Sequence, residues 1–170
     1  MFNGKILITG LPHSGKSTLV RRLVEGVENK QGFLTMEMQE DGQRVGFKIA
    51  TASGTEAILA SIGLESPIRV SRYGVSVENL DRVIPELETF SPKDQLYLDE
   101  IGQMELYSDK FKDLVTKYLD AENPLLATIS KVYSDEFTHE LLKRDGIELL
   151  EVTPKNREEI FHSLSERMRG

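Results

Sequence analysis

The chain has 170 residues, 39% hydrophobic and 29% charged, which suits one folded domain and argues against wholesale disorder. Its net charge of −7 counts against a sequence-independent nucleic-acid binder, and the absence of cysteine excludes disulfide scaffolds, thiolate zinc sites and cysteine nucleophiles. The apolar run Ile6-Leu7-Ile8 is far too short to cross a membrane and has no secretory cleavage region after it, so a cytoplasmic protein, taken as a monomer, is expected.

Lys5 to Thr9 reads as a short buried strand ending at a glycine. From Gly15 the period changes: Leu19, Val20, Leu23, Val24 and Val27 recur at helical spacing. Gly32 to Met38 alternates as a half-buried strand does. Val45, Phe47 and Ile49 at period two, followed by Ser53-Gly54 and Ala57-Ile58-Leu59, predict a β-hairpin over Arg44 to Ala60, with a short helix over Glu56 to Ile62 as the competing reading. Ile68 to Ser71 suggests another short strand. Leu80, Val83, Ile84 and Leu87 mark a helix that Pro85 interrupts or starts late.

Leu96-Tyr97-Leu98 is a second buried strand, ending at Asp99-Glu100. Phe111, Leu114, Val115, Tyr118 and Leu119 form an amphipathic stripe. Leu125 to Ile129 reads as a third buried strand, Phe137 to Lys143 as a helix and Ile147 to Val152 as a fourth buried strand. The last helix takes Thr153 as cap and Pro154 in its first turn, with Ile160, Phe161 and Leu164 inward. Strands alternating with helices predict an α/β fold: a parallel sheet flanked by helices, with the hairpin attached at one edge. No repeat or linker marks a second domain, so residues 1–170 are expected to form one, with the hairpin at about 44–60.

Gly10-Leu11-Pro12-His13-Ser14-Gly15-Lys16-Ser17 matches the phosphate-loop pattern G-x-x-x-x-G-K-[ST] at every required position. Glycines let the backbone curl so that successive N–H groups face phosphate oxygens, and the following helix adds the positive end of its dipole. Lys16 is expected on the β- and γ-phosphates and Ser17 on Mg²⁺, with His13 a bystander. A chain of this length matches the pattern by accident roughly once in a few hundred, and here the match also lies between a strand and a helix.

Asp99 and Glu100 leave the second buried strand together. Asp99 is the natural magnesium partner of Ser17, and Glu100 can face the γ-phosphate and orient the attacking water. Asp99-Glu100-Ile101-Gly102 also fits the D-x-x-G of switch GTPases. No N-K-x-D follows a later strand, which disfavours a guanine-only enzyme. Thr128 and Ser130 suit either γ-phosphate sensing or capping of their strand end.

With these residues in place the chain resembles the small P-loop nucleoside triphosphatases of thermophilic prokaryotes, relatives of human cancer-related nucleoside-triphosphatase. The carrying segments are Gly10 to Thr18, Gly46-Phe47-Lys48, Tyr73-Gly74-Val75, Leu98 to Gly102 with Met104-Glu105-Leu106, Phe111 with Asp113-Leu114-Val115, Ala127-Thr128-Ile129, and Thr153-Pro154 with Asn156-Arg157. The resemblance implies a RecA-like core and slow hydrolysis of ATP, GTP and other nucleoside triphosphates to diphosphates. It places nucleotide contacts on Gly10, Leu11, Pro12, His13, Ser14, Gly15, Lys16, Ser17, Thr18, Asp99 and Glu100. One departure stands out: the family's Asp-Glu-Ile-Gly-Lys-Met-Glu here carries Gln103 at the lysine. Loss of a cation that neutralises transition-state charge would slow the enzyme, whereas loss of a surface ion pair would change little.

Arg72 and Arg157 are further candidates for phosphate or base, though a surface role is favoured for each. Glu37 and Glu105 are read as solvated acids, with help in arranging water as the alternative. His139 and His162 have no partners at metal-ligand spacing. A P-loop kinase needs an acceptor pocket and usually an arginine-rich lid, and only Arg69 and Arg72 offer themselves. A nucleotide-regulated binding module is the remaining alternative.

Overall fold

The computed structural model describes residues 4–169. One nine-stranded sheet organises the chain, in the order β5-β6-β4-β3-β2-β7-β8-β1-β9. Its strands are β1 (Lys5–Thr9), β2 (Lys30–Glu40), β3 (Gln43–Thr51), β4 (Glu56–Ser61), β5 (Arg69–Val70), β6 (Tyr73–Val75), β7 (Gln95–Ile101), β8 (Leu125–Ile129) and β9 (Ile147–Glu151). The helices are α1 (Lys16–Glu25), α2 (Val77–Leu87), α3 (Asp109–Asp120), α4 (Glu136–Leu142) and α5 (Arg157–Arg169), with a 3₁₀ turn at Glu105–Tyr107.

Period-two burial explains the layering. In β1, Ile6 and Ile8 join a cluster with Leu19, Val20, Leu23 and Val24 of α1 and Leu164 of α5. Leu7, between them, points to the opposite face, where Leu80, Val83, Ile84 and Leu87 of α2 meet Phe111, Leu114, Val115 and Tyr118 of α3. β7 divides the same way, Tyr97 to the first cluster and Leu96 and Leu98 to the second. Strands covered on both faces read as continuous apolar runs, as β1, β7 and β8 do.

β2, β7, β8, β1 and β9 pair in parallel. β8 therefore lies between the strand that enters the phosphate loop and the strand that ends in the two acids, the RecA-like arrangement expected. Beyond β2 the sheet continues antiparallel through β3, β4, β6 and β5. The hairpin is thus the start of a wing attached at the free edge of β2. It turns at residues 52–55, where the Gly54 N–H donates to the Thr51 carbonyl at 3.0 Å with Gly54 at φ +95°. The competing helix over Glu56 to Ile62 does not form: β4 is held between β3 and β6.

Four further expectations need correction. Val27 lies past the end of α1, which closes at Gly26. α2 starts at Val77 and runs through Pro85, because Ser76 caps it by accepting from the Asn79 N–H at 3.1 Å and its four apolar residues are buried on both sides of the proline. β9 is an edge strand paired only with β1, with Leu149 48% exposed. Finally, α5 proper begins at Arg157. Thr153 caps the preceding turn, its hydroxyl accepting from the Asn156 N–H at 3.3 Å while the Asn156 side chain accepts from the Thr153 N–H at 2.7 Å. Among the described residues no helix is long and apolar enough to cross a membrane.

Candidate active site

The loop between β1 and α1 is shaped by its glycines. A Cβ on Gly10 would lie 2.6 Å from both Ser14 Oγ and the Val152 carbonyl oxygen, and Gly15 holds φ at +102° in the left-handed region. Gly15 starts α1 without a side-chain cap and the first turn carries no acid, so its N–H groups remain available to an anion. The Lys16 ammonium donates to the Gly10 carbonyl at 2.9 Å, and Ser14 Oγ is buried without a hydrogen-bond partner among the described residues. Such an orphan fits a loop shaped for phosphate oxygens.

β7 delivers the acids. Asp99 is 1% exposed and its Oδ1 accepts from Ser17 Oγ at 2.9 Å and from Thr128 Oγ1 at 2.8 Å. Its Oδ2 accepts from the Thr35 N–H at 3.4 Å, and the Thr35 hydroxyl donates to the Asp99 carbonyl. Burial pushes the Asp99 carboxyl up from its ordinary range, opposed by the Thr128 and Ser17 hydroxyls and the Thr35 amide. Glu100 is half-buried and also pushed up, by burial first; Lys16 opposes that rise and Asp99 adds to it. A buried carboxylate beside a serine hydroxyl supplies hard oxygen ligands, and among the described residues no cation forms an ion pair with it, Arg21 acting only through its charge. This donor set fits Mg²⁺, which takes one or two protein ligands and completes its shell with water and phosphate oxygens.

These parts line one open cavity of about 920 Å³ between the phosphate loop, the end of β7 and the wing. Gly10, Pro12, His13, Ser14, Gly15, Lys16, Ser17 and Thr18 border it with Asp99 and Glu100, whereas Leu11 is 57% exposed and is not part of its wall. Thr128 is fully buried and spends its hydroxyl on Asp99, while Ser130 reaches the cavity wall. Arg157 stands against the loop: a Cβ on Gly15 would lie 3.3 Å from its Cδ and 3.5 Å from its Nη1. Arg72 is elsewhere, its guanidinium donating to the Arg44 carbonyl at 2.6 Å and to the Tyr73 hydroxyl at 3.3 Å.

Glu105 is not a solvated acid. It is 5% exposed, and burial, then the charges of Glu100 and Asp99, pushes its carboxyl up to about 8. Its apolar neighbours Met104 and Leu106 were the available signal that this turn folds inward. Sequence reasoning also missed Arg44, which reaches the cavity from β3 beside Phe47 and forms an ion pair with the exposed Glu37 at 3.3 Å. His139 and His162 are exposed, and no group of three His, Cys, Asp or Glu among the described residues is arranged to hold a metal.

A family model described as NTPase matches residues 5–165. The chain belongs to this NTPase family. Nucleoside-triphosphatase THEP1 of Thermotoga sp. (strain RQ2) is 44% identical over 94% of this chain and 92% of its own length, and the namesake from Methanocaldococcus jannaschii is 37% identical over 94% of each. Among solved structures, THEP1 from Aquifex aeolicus matches with a TM-score of 0.80 at 35% identity, covering 94% of this chain and 96% of that one. A human cancer-related nucleoside triphosphatase matches with a TM-score of 0.81 at 29% identity over 97% of each. As an NTPase-family member with this strand order, the chain confirms the fold and the kinship expected from its motifs.

Proposed function

We propose that this NTPase is a Mg²⁺-dependent nucleoside triphosphatase that releases the terminal phosphate of ATP, GTP and other nucleoside triphosphates, with Glu100 orienting the attacking water. The carrying observation is the 2.9 Å contact of Ser17 Oγ with Asp99 Oδ1, which joins the phosphate loop to the acidic strand end at one cavity. The relatives' shared name, nucleoside-triphosphatase, supports the same reaction class.

Ser17 and Asp99 would hold Mg²⁺, which when bound supplies charge neutralisation at the phosphate oxygens. The remaining work belongs to the chain. Loop N–H groups and Lys16 bind the polyphosphate, and Thr128 and Thr35 fix Asp99 through its two carboxylate oxygens. Glu100, on the cavity wall, holds the attacking water and accepts its proton. The net charge of −7 favours a protein that does not engage nucleic acid, and we extend the reading to a cytoplasmic monomer.

The test is phosphate release from each nucleotide, with and without candidate acceptor alcohols, alongside nucleotide binding. Glu100→Gln is expected to keep binding and to lose release by about 10²–10⁴-fold, while Lys16→Ala weakens both. Hydrolysis unchanged in Glu100→Gln removes the role given to that residue. Phosphate found only on an acceptor makes the enzyme a kinase, and binding without turnover makes it a nucleotide-regulated module.

A further inference from the structure

Glu105 is a buried ionisable group that the proposed reaction leaves unused, although it lines the same cavity. The 3₁₀ turn after β7 holds it there: the Leu106 N–H donates to the Gly102 carbonyl at 3.0 Å, and Leu106 is itself buried. Among the described residues no side chain donates to the Glu105 carboxyl, and only the N–H groups of Gly102 and of Glu105 itself turn toward it. The charges that face it are Glu100 and Asp99 of β7, with no cation among them. Lys16 of α1 acts on Glu100 instead, and α2, which packs on the same turn, directs Asp81 onto the Ser108 hydroxyl.

Glu100 and Glu105 bracket Gly102. A Cβ on that glycine would lie 3.1 Å from Glu105 Oε2 and 3.4 Å from Glu100 Cδ, so the two carboxyl groups border the same side of Gly102. A buried carboxyl that faces a neighbouring carboxylate ionises reluctantly, as Glu105 does beside Glu100. The inward turn, the absent partner and the adjacent Glu100 together define what the group can do: keep its proton and offer it.

We propose that Glu105 is a positioning residue whose carboxylic O–H donates to the Glu100 carboxylate, holding the free oxygen of Glu100 toward the attacking water. This rests on the role given to Glu100 above. The pull of Glu105 up to about 8 keeps it protonated at neutral pH, so the donor is in place under working conditions.

The experiment compares wild type, Glu105→Ala, Glu105→Gln and Glu100→Gln. Glu105→Ala is expected to lower kcat about 10–100-fold with KM changed less than about threefold, and Glu105→Gln, which stays neutral and keeps an N–H donor, recovers most of that loss. Wild type loses activity on the alkaline side as Glu105 ionises, and Glu105→Gln lacks that limb. A second readout needs no nucleotide: urea unfolding from about pH 4 to about pH 9. Unfolded Glu105 ionises near its ordinary 4.5 and the folded group near 8. Between those values only the native state keeps the proton, so wild-type stability relative to Glu105→Gln is greatest below pH 4.5 and falls as pH rises to about 8. Parallel stability curves, or a Gln variant as slow as Ala, overturn the proposal. Glu100→Gln hydrolysing like wild type removes the water-orienting reading and the positioning role of Glu105 with it, while the unfolding comparison shows separately whether Glu105 stays neutral.

Discussion

Asp99 is a carboxylate held in the interior by hydroxyls and an amide, with the Arg21 guanidinium acting on it only through its charge. Ser17 and Thr128 meet one oxygen and the Thr35 amide meets the other, which reduces the cost of burial without neutralising the charge. Gln103, on the neighbouring wall, is the residue where the family resemblance calls for lysine. Its place on the cavity favours a contribution to transition-state charge over a surface ion pair. Gln103→Lys is therefore expected to raise kcat by about tenfold with a smaller change in KM, read by steady-state phosphate release. An unchanged kcat would return the position to the surface. At this scale the meeting of Ser17 with Asp99 beside the loop was legible, because motif spacing fixes where both stand. Glu105 was not: Met104 and Leu106 signal that the turn folds inward, but an acid between them is read by default as turned to water. Arg72 and Arg157 could not be ranked either, since only the fold puts one beside Gly15 and the other on Tyr73.

Secondary structure was read well wherever burial wrote a clear period into the chain, as in β1, β7, β8 and α3. The errors fall where tertiary packing outweighs a local signal. Pro85 removes one helical hydrogen bond, yet Val83, Ile84 and Leu87 anchor the surrounding turns in the core. Restoring the donor should outweigh the lost rigidity of the unfolded chain. Pro85→Ala is expected to stabilise the protein by about 1–2 kcal/mol in urea denaturation, and a loss of stability would show that the helix depends on the proline ring. β9 misled for the opposite reason: its apolar letters look like a central strand, while its place at the sheet edge leaves Leu149 half in water. The hairpin turn was visible in Ser53-Gly54, and Glu86 of α2 now explains its fixed position by accepting from Ser53 Oγ at 2.9 Å and Thr55 Oγ1 at 2.7 Å.

Across the whole molecule, class and motif could be read from the chain, but the strand order could not. Pairing partners such as Gly32 with Tyr97 are far apart in sequence. The approach there is so close that a Cβ on Gly32 would stand 1.8 Å from the Tyr97 carbonyl oxygen. The wing, too, acquires its meaning only in three dimensions, where Arg44, Phe47, Leu59 and Val70 join the cavity wall. A ligand that binds only the folded chain must raise its stability. Mg²⁺ with a nucleoside triphosphate at about 100 times its Kd should add about 2.7 kcal/mol, or about 5–10 °C in Tm for a chain of this size. A chelator or Lys16→Ala should shrink that shift, and a shift indifferent to chelation would remove Mg²⁺ from the site. The insertion of β8 has a final consequence. Because β1 and β7 are joined through β8, the Ser17–Asp99 junction depends on both seams flanking β8 as well as on the packing of α1 against Tyr97 of β7. Amide exchange at Thr128 should follow global unfolding, while the outlying β5 and β6 exchange through smaller openings that leave the reaction centre assembled.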